Sequence, residues 1–359
     1  MRNLLPDRQG HKWFNNLPLY AAMCPRSHVR SVHRSAFNSL MPLFFLKRFA
    51  TLIATLIGAS VIVFLVLEIL PGNAAQMLMG PDAAPEAVAA LAAKLGIDQP
   101  AWTRYWHWIG GMLTGNLSDS YAYSSPVVDL LLERLALTVP LALLAMALTT
   151  VLALVVGLSA AARHNQLGDV GLMGLTQVGI AIPNFWFAIL LILVFSVELQ
   201  WFSAGGFDGW GEGIGGALDG FKSLLLPALS LAVVQAAILA RITRSAVLEV
   251  MREDFVRTAR AKGVSQRGVL WLHVLRNALI PVVTVMGMQF AELLAGTIVV
   301  ENVFYLPGLG KLIFQAISNR DLIVVRNCVM LLAAMVVIVN FVVDLLYAVI
   351  DPRIKASDI

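Results

Sequence analysis

Six long stretches of almost uninterrupted apolar residues constrain this 359-residue chain more than any other feature. They occupy residues 49–67, 135–162, 170–197, 223–240, 277–300 and 327–350. Only Glu292 and Asp344 carry a charge within them. A helix of about 20 apolar residues crosses the roughly 30 Å hydrocarbon core of a bilayer. Lipid cannot satisfy free backbone N–H and C=O groups, so we expect helices rather than open strands. The sequence therefore predicts an all-α integral membrane protein with six transmembrane helices.

The composition and the distribution of charge support this prediction and suggest an orientation. The chain is 58% hydrophobic and 13% charged, which is typical of membrane proteins and not of soluble domains. If the N-terminus is cytoplasmic, 19 of the 26 lysines and arginines lie in cytoplasmic segments and 7 lie on the other side. Without residues 1–40 the ratio is still 13 to 7. Because cytoplasmic loops are enriched in lysine and arginine, both termini are predicted to be cytoplasmic.

The first 40 residues fit neither a span nor a signal peptide. They are polar, basic and interrupted by prolines, and no small-residue cleavage site follows a short apolar core. Met41 begins a typical membrane-protein start, with Lys47 and Arg48 just ahead of the first span. We therefore expect the extension to be disordered, or translation to begin at Met41.

The predicted organisation follows from these boundaries. The extension covers residues 1–40, the first transmembrane helix 41–70 and an extracytoplasmic segment 71–134. A five-helix core covers 135–350 and contains a cytoplasmic loop at 241–276, and a cytoplasmic tail covers 351–359.

The extracytoplasmic segment contains local features of its own. Residues 84–95 predict a short helix that ends at Gly96. The aromatic residues that follow indicate a belt at the membrane interface, with a ligand-binding platform as the alternative; they are Trp102, Tyr105, Trp106 and Trp108. Further on, Gly211, Gly213 and Gly216 have GxGxxG spacing. They lie between two spans instead of in a βαβ unit, so we interpret them as a flexible turn.

A basic segment between the fourth and fifth spans is the strongest candidate for a functional site. Its sequence from 254 to 281 is DFVRTARAKGVSQRGVLWLHVLRNALIP. Residues 241–262 lack proline and predict a continuation of the fourth span into the cytoplasm, with ion pairs from Arg257 to Glu253 and Asp254. Gly263 is expected to end this helix and Ser265 to cap a second one. The alternative is an ordinary basic loop that only sets topology.

The segment also carries a family resemblance. RTARAKG (257–263), followed by LRNALIP (275–281), resembles the EAA loop of permease subunits of binding-protein-dependent ABC importers, with Ala259 and Gly263 at the motif's alanine and glycine. Arg257 replaces the motif's opening acid, and Arg276 occupies its first downstream proline position. Stretches such as GNLSDS and ENVFYLPGLGKLIFQAISNRD extend the resemblance over most of residues 41–355. They resemble the B-type permease of the dipeptide/oligopeptide/nickel branch.

This resemblance implies a type I importer permease in a bacterial inner membrane, acting within a larger assembly. The partners would be a second homologous permease, two cytoplasmic ATPase subunits and an extracytoplasmic solute-binding protein, with no nucleic acid involved. This chain would bind no cofactor, because ATP and magnesium would be handled by the ATPases. PGLGKL lacks the spacing of a phosphate-binding loop, and the scattered cysteines and histidines suggest no metal site. The residues that would couple the chain to the ATPases are Asp254, Arg257, Thr258, Ala259, Arg260, Ala261, Lys262, Gly263 and Ser265.

Polar residues inside the spans provide further candidates. Ionisable groups at membrane depth usually face protein or water, so Glu292, with Gln289 nearby, could border the translocation path or contact the partner permease. Asn340 and Asp344 share one face of the sixth span near its cytoplasmic end, where we expect a packing or helix-terminus role.

Short peptides are the expected cargo. Nickel chelates, glutathione and glycosides are alternatives, because similar permeases carry them. A secondary transporter is a more distant alternative, since it should show inverted repeats or broken helices that the hydropathy pattern does not indicate.

Overall fold

The structure, a computed structural model, describes residues 26–69, 74–80, 83–94, 96–207, 209–211 and 213–350. Within these ranges the regular elements are helices, apart from an isolated bridge between Asp119 and Pro126. The α-helices are α1 (Arg26–Ile69), α2 (Ala74–Met79), α3 (Pro85–Lys94), α4 (Ala101–Thr114), α5 (Val127–Ala162), α6 (Leu167–Ala181), α7 (Asn184–Leu191), α8 (Gly213–Val250), α9 (Asp254–Ala261), α10 (Gln266–Gly268), α11 (Leu275–Val303), α12 (Leu309–Ser318) and α13 (Leu322–Ile350). Two π-helical stretches extend them: Ile192–Glu198 continues α7, and Val269–Val274 joins α10 to α11. The prediction of an all-α protein is confirmed.

Five of the described helices are long and apolar enough to cross a membrane, and a bent pair brings the number to six if it counts as one span. The five belong to α1, α5, α8, α11 and α13, and the bent pair is α6 with α7 and its π-helical extension. Every predicted span coincides with one of these elements. The helices run past several predicted limits: α5 begins at Val127 and not at 135, and α8 covers Gly213–Val250 and not only 223–240. Residues 26–40, which we expected to be disordered or untranslated, form the first part of α1, and residues 1–25 lie outside the described part.

The third span is bent and not straight. The direction of the helix bends by 101° between the two halves, with Ile182 and Pro183 at the break. Ile182 adopts an extended conformation (ψ 122°), which is the conformation favoured before proline, and Pro183 then begins α7. The helical pattern is therefore interrupted by local backbone chemistry at a place where hydropathy alone shows a continuous apolar run.

α8 lies at the centre of the bundle. It packs against α5, α11, α6 and α7. It approaches α5 closely at Gly157, where a Cβ atom would lie 2.7 Å from Cβ of Thr243. Small residues allow helices to approach closely in lipid, where apolar contact alone gives no preference for protein over acyl chains. The α5–α8 pair is thus the closely packed element on which the other helices are arranged.

The two ends of the bundle are distinct. We call one end the hairpin end, because α9 and α10 form a helical hairpin there (residues 254–267). At this end the C-terminal residues of α5 and α8 share an apolar cluster with α9 and with the start of α11. Arg48 of α1 and Asp344 of α13 form an ion pair of 2.9 Å. The chain connectivity of α1 and α13 places this pair at the hairpin end too. Asp344 therefore joins two helices, which agrees with the packing role expected for it.

The opposite end is formed by the segment between α1 and α5 together with α12. The short helix predicted over 84–95 is present as α3 (Pro85–Lys94), and Gly96, expected at its end, has a positive φ of 65°. The aromatic residues of α4 are divided: Trp102 and Trp106 are exposed, whereas Trp108 is buried and its Nε1–H donates to Oδ1 of Asn327 over 2.9 Å. The expected interfacial belt therefore describes only part of this cluster.

The glycines with GxGxxG spacing also differ from the expectation. Gly213 and Gly216 lie in the first turn of α8, and the backbone of Gly216 packs against Gly211. Instead of forming one flexible turn, they allow the start of α8 to contact the loop before it.

Candidate functional site

The sequence predicted that the basic segment would continue α8 as one helix, but the structure shows a separate helix there. α8 ends at Val250, a turn follows over residues 251–253, and α9 begins at Asp254 as a separate helix. Glu253 is extended (φ −65°, ψ 148°), and the carboxylate of Asp254 lies in the first turn, where it interacts favourably with the helix dipole. The predicted single helix over 241–262 is therefore wrong, because a turn allows α9 to fold back and bury Val256 and Ala259.

α9 ends in a well-defined Schellman motif. The N–H of Val264 donates to the carbonyl of Ala259 (3.3 Å), and the N–H of Gly263 donates to the carbonyl of Arg260 (2.9 Å). Gly263 has a φ of 82°, a conformation that residues with a Cβ rarely adopt. The prediction that Gly263 ends this helix is confirmed.

The start of α10, the second helix of the hairpin, is fixed by a cap. Oγ of Ser265 accepts a hydrogen bond from the N–H of Gly268 over 3.2 Å, as expected for an N-cap residue. Of the two predicted ion pairs, Arg257–Asp254 forms at 3.2 Å, and both of its side chains are largely exposed. Among the described residues, Glu253 makes no ion pair with Arg257. An exposed pair of this kind contributes at most about 1 kcal/mol, so the shape of the hairpin depends on its caps and its apolar face.

The hairpin, defined here as residues 254–267, has two different faces. Its outer face carries one exposed aromatic side chain, Phe255 (43% exposed). Its other exposed residues include polar, basic and small ones, namely Asp254, Arg257, Thr258, Arg260, Ala261, Lys262, Gly263 and Ser265. Ala259 is 7% exposed and packs toward the bundle, so it is the one coupling residue implied by the resemblance that does not lie on the outer face. A Cβ atom added to Gly263 would have no atom within 4 Å. The hairpin therefore presents a basic surface that is open at Gly263 and includes one exposed aromatic ring, that of Phe255.

The inner face connects the hairpin to three spans. Val256 and Ala259 share an apolar cluster with Ala246 and Val247 near the end of α8 and with Val274 before α11. Leu158 and Ala161 of α5 belong to the same cluster. Protein interiors are closely packed and transmit displacement, so a force applied to α9 would move the ends of these helices with it.

A buried ion pair beside this cluster was not identified from the sequence. The guanidinium of Arg244 donates from Nε to Oδ1 and from NH2 to Oδ2 of Asp169, at 2.7 and 2.6 Å. The Asp169 side chain is 4% exposed and that of Arg244 is 22% exposed. This contact joins the start of α6 to α8, nearly two turns before α8 ends at Val250. Its only sequence clue was the rarity of an acid at the edge of an apolar run, and we counted Arg244 only toward topology.

The second set of candidate residues forms a polar cluster in the middle of the bundle. Nε2 of Gln289 donates to the carbonyl of Gln235 (3.0 Å), and Nε2 of Gln235 donates to Oε2 of Glu292 (3.1 Å). The two amide oxygens accept no hydrogen bond within the described part of the chain. Glu292 is exposed, on a stripe of α11 that also includes Thr284 and Met288. The structure thus brings Glu292 and Gln289 together and adds Gln235, which the sequence analysis did not single out.

Comparison with known proteins agrees with this geometry. Residues 153–356 match the model of the binding-protein-dependent transport system inner membrane component, and residues 41–142 match the model of the N-terminal part of such components. The chain belongs to this family. It is therefore a multi-pass inner membrane protein that acts as the permease component of a transport system and not as an enzyme.

Relatives of this permease carry names from peptide transport. A putative peptide transport system permease of Brucella melitensis is 41% identical over 316 residues, which cover 88% of this chain and 99% of the relative. A di/tripeptide transport permease of Pseudomonas aeruginosa is 39% identical, with 87% and 98% covered. A glutathione transport permease of Escherichia coli is 40% identical, with 86% and 98% covered. Membership of the family implies a binding protein and ATPases as partners, and it assigns ATP hydrolysis to those ATPases.

Proposed function

We propose that this permease forms one half of the translocation pathway of an ATP-driven peptide importer and receives mechanical work through the hairpin. The hairpin would dock on one of two cytoplasmic ATPase subunits, and a second homologous permease would complete the pathway. The observation that carries this proposal is the two-faced geometry of α9, with a basic outer surface and an inner surface packed onto α5, α8 and the start of α11.

The proposed orientation places the hairpin end in the cytoplasm, together with both termini. Arg48 and Asp344 lie at that end, near the first and last residues of their spans. The excess of lysine and arginine in the segments at this end supports the proposed orientation.

The proposed mechanism is a shift between two arrangements of the bundle. Closure of the ATPases on ATP would displace the docked α9, and the packed cluster would pass the displacement to α8 and α11. A partner changes such an equilibrium only when it binds one arrangement better than the other. The bend at Pro183 is a place where rigid segments could pivot.

The proposed cargo is a short peptide, which would contact the cluster of Gln235, Gln289 and Glu292. The names of the relatives support this class of cargo, and one of them, a glutathione permease, keeps that modified peptide as an alternative; nickel chelates and glycosides are further alternatives. The cluster offers the exposed carboxylate of Glu292, which suits an ammonium group, whereas the amide oxygens of Gln235 and Gln289 are buried behind it without a hydrogen-bond donor among the described residues. An exposed carboxylate at mid-span is also costly toward lipid, so it is expected to face the pathway or the second permease.

The Gly263→Glu variant tests the docking. It adds a bulky acid to a surface that is basic and open, so we expect loss of uptake and of coupling to ATP hydrolysis, with normal membrane insertion. Gly115→Glu is a matched control, because Gly115 also ends a helix with positive φ (78°) in open space, but at the opposite end. Gly263→Asn, which tolerates this conformation without adding charge, should retain coupling. Normal uptake by Gly263→Glu would refute the docking.

A further inference from the structure

A large cavity lies at the opposite end of the bundle, away from the hairpin and from the polar cluster of α11. Its volume is about 1290 Å³, and its walls come from the end of α1, from the end of α3 and the segment after it, from α4 and the segment after it, and from the start of α13. No residue of α7, α8 or α11 lines it. The cavity is therefore separate from the helices that carry the proposed pathway.

The charges in this cavity do not balance. Its charged lining residues are Glu68, Arg104 and Arg326. The carboxylate of Glu68 pairs with the guanidinium of Arg104. The guanidinium of Arg326 has no hydrogen bond or ion pair among the residues that the structure describes, and its Nε is buried without an acceptor. One positive charge therefore remains uncompensated, which is costly unless an anion accepts its hydrogen bonds.

The surroundings of Arg326 hold it in place without neutralising it. Its guanidinium stacks on the ring of Trp108 at 4.8 Å, and the indole N–H of Trp108 is occupied by Asn327. Tyr121 also lines the cavity. Burial and the nearby carboxylate of Asp321 raise the pKa of Tyr121, so its phenol stays neutral and provides no counter-charge. The planar guanidinium can donate two parallel hydrogen bonds, a geometry that suits phosphate and carboxylate groups.

The position of the cavity indicates where such an anion comes from. Phe64 and Leu67 lie near the end of the span that ends at Ile69, and Arg326 lies near the start of the span that begins at Leu322. This is the level at which a helix leaves the hydrocarbon for the head-group region. Leu65, Val66 and Ile69 beside the cavity are more than half exposed, and so are Trp102 and Trp106 in α4. Exposed tryptophans are typical of this level, and exposed aliphatic side chains there suit acyl chains.

We propose that this cavity is a binding site for an anionic phospholipid, with the phosphate on Arg326 and the acyl chains along the end of α1. The bound lipid would fill the space between α1, α4 and α13 and hold these elements together. The site itself does not depend on the proposed docking of the hairpin; only the leaflet, which would be the outer one, rests on the proposed orientation.

The test is a titration of the purified permease, assembled with its partner subunits, with phosphatidylglycerol, followed by native mass spectrometry. We expect a tightly bound lipid in the unaltered protein and a loss of affinity of about ten-fold or more in Arg326→Gln, the size expected when hydrogen bonds to a charged group are removed. Arg326→Lys, which keeps the charge but loses the fork, should fall between them. Arg134→Gln is the control, because Arg134 is also largely buried with an unbonded Nε but does not line the cavity.

The competing ligands give outcomes that overturn the proposal. Displacement of the lipid by inorganic phosphate or by deacylated phosphatidylglycerol at equal concentration would show a site for small anions. Displacement by a dipeptide would show a cargo site. Equal lipid affinity in Arg326→Gln and in the unaltered protein would also contradict the proposal. If Arg326→Gln fails to assemble, Arg326→Lys and Trp106→Leu are tested in its place. Both should weaken lipid binding and leave the ATPase activity of the assembly unchanged, and unchanged lipid binding in both would contradict the proposal.

Discussion

The buried ion pair between Asp169 and Arg244 should make an unequal contribution when its two members are removed singly. In Arg244→Gln the carboxylate of Asp169, which is only 4% exposed, loses the guanidinium and keeps only the N–H of Asn165 (3.1 Å) and the ring of His164 (3.5 Å) as the polar neighbours that the structure shows. In Asp169→Asn the stranded guanidinium of Arg244 is 22% exposed and still reaches water. Both variants lose two short, charge-assisted hydrogen bonds. We therefore expect Arg244→Gln to be the more destabilising of the two.

The magnitude follows from the burial of the pair. Removing one partner of a buried ion pair destabilises a protein by about 3–5 kcal/mol. Arg244→Gln should be near this range, and Asp169→Asn should be lower, at about 2–3 kcal/mol, because solvent screens the remaining charge. The double variant should recover part of the loss, with a coupling energy of about 2 kcal/mol, because neither charge is then left alone.

The free energy of unfolding of this permease in detergent micelles, measured by denaturant titration, checks both values. Arg241→Gln is the matched control: Arg241 is nearly one turn earlier on α8 and donates to the neutral Oε1 of Gln177 at 2.6 Å in an exposed position. Its loss should cost less than about 1 kcal/mol. If Arg241→Gln and Arg244→Gln were equally destabilising, the buried ion pair would not stabilise the contact between α6 and α8. The same conclusion would follow if the destabilisations of Asp169→Asn and Arg244→Gln were additive in the double variant.

Other substitutions test separate parts of the structure. Ser265→Ala should destabilise the hairpin by about 1 kcal/mol, because the cap on α10 is lost, and should lower the ATPase rate stimulated by transport. Gly308→Ala should destabilise by about 1–3 kcal/mol in the same titration, because its Cβ would overlap the buried carboxylate of Glu301. Gly171→Ala in α6, where a Cβ meets nothing within 4 Å, should instead stabilise by about 0.5–1 kcal/mol. Glu292→Gln should reduce uptake of a labelled dipeptide about ten-fold with ATPase binding unchanged, since a charge-assisted contact to the ammonium group is lost; equal uptake would remove Glu292 from the pathway.

The number of spans and the ends of the hairpin helices could be predicted from the sequence because they depend on local chemistry. Long apolar runs define helices in lipid whatever they pack against, and a glycine followed by a serine two residues later was enough to predict both caps of the hairpin. Gly263 and Ser265 adopt the conformations that their residue types favour. Both positions are decided within a few residues along the chain.

The parts that could not be predicted depend on contacts between distant residues. The turn after Val250 forms because Val256 and Ala259 are buried against α8 and the segment before α11, and helix propensity over 241–262 contains no information about that burial. Arg244 and Asp169 are 75 residues apart, and each is unremarkable in its own segment. In the same way, the division of the aromatic residues of α4 depends on Asn327, which lies in another span.

The most direct test of the docking is a photo-crosslinking experiment on the assembled importer. A photoreactive amino acid replaces Ala261 on the outer face of the hairpin, and in a second variant it replaces Leu113, which is 84% exposed at the opposite end. We expect an adduct between position 261 and an ATPase subunit that changes in yield when ATP is bound, and no ATPase adduct from position 113. An importer that still hydrolyses ATP but yields no ATPase adduct from position 261, or yields one from position 113, would contradict the account.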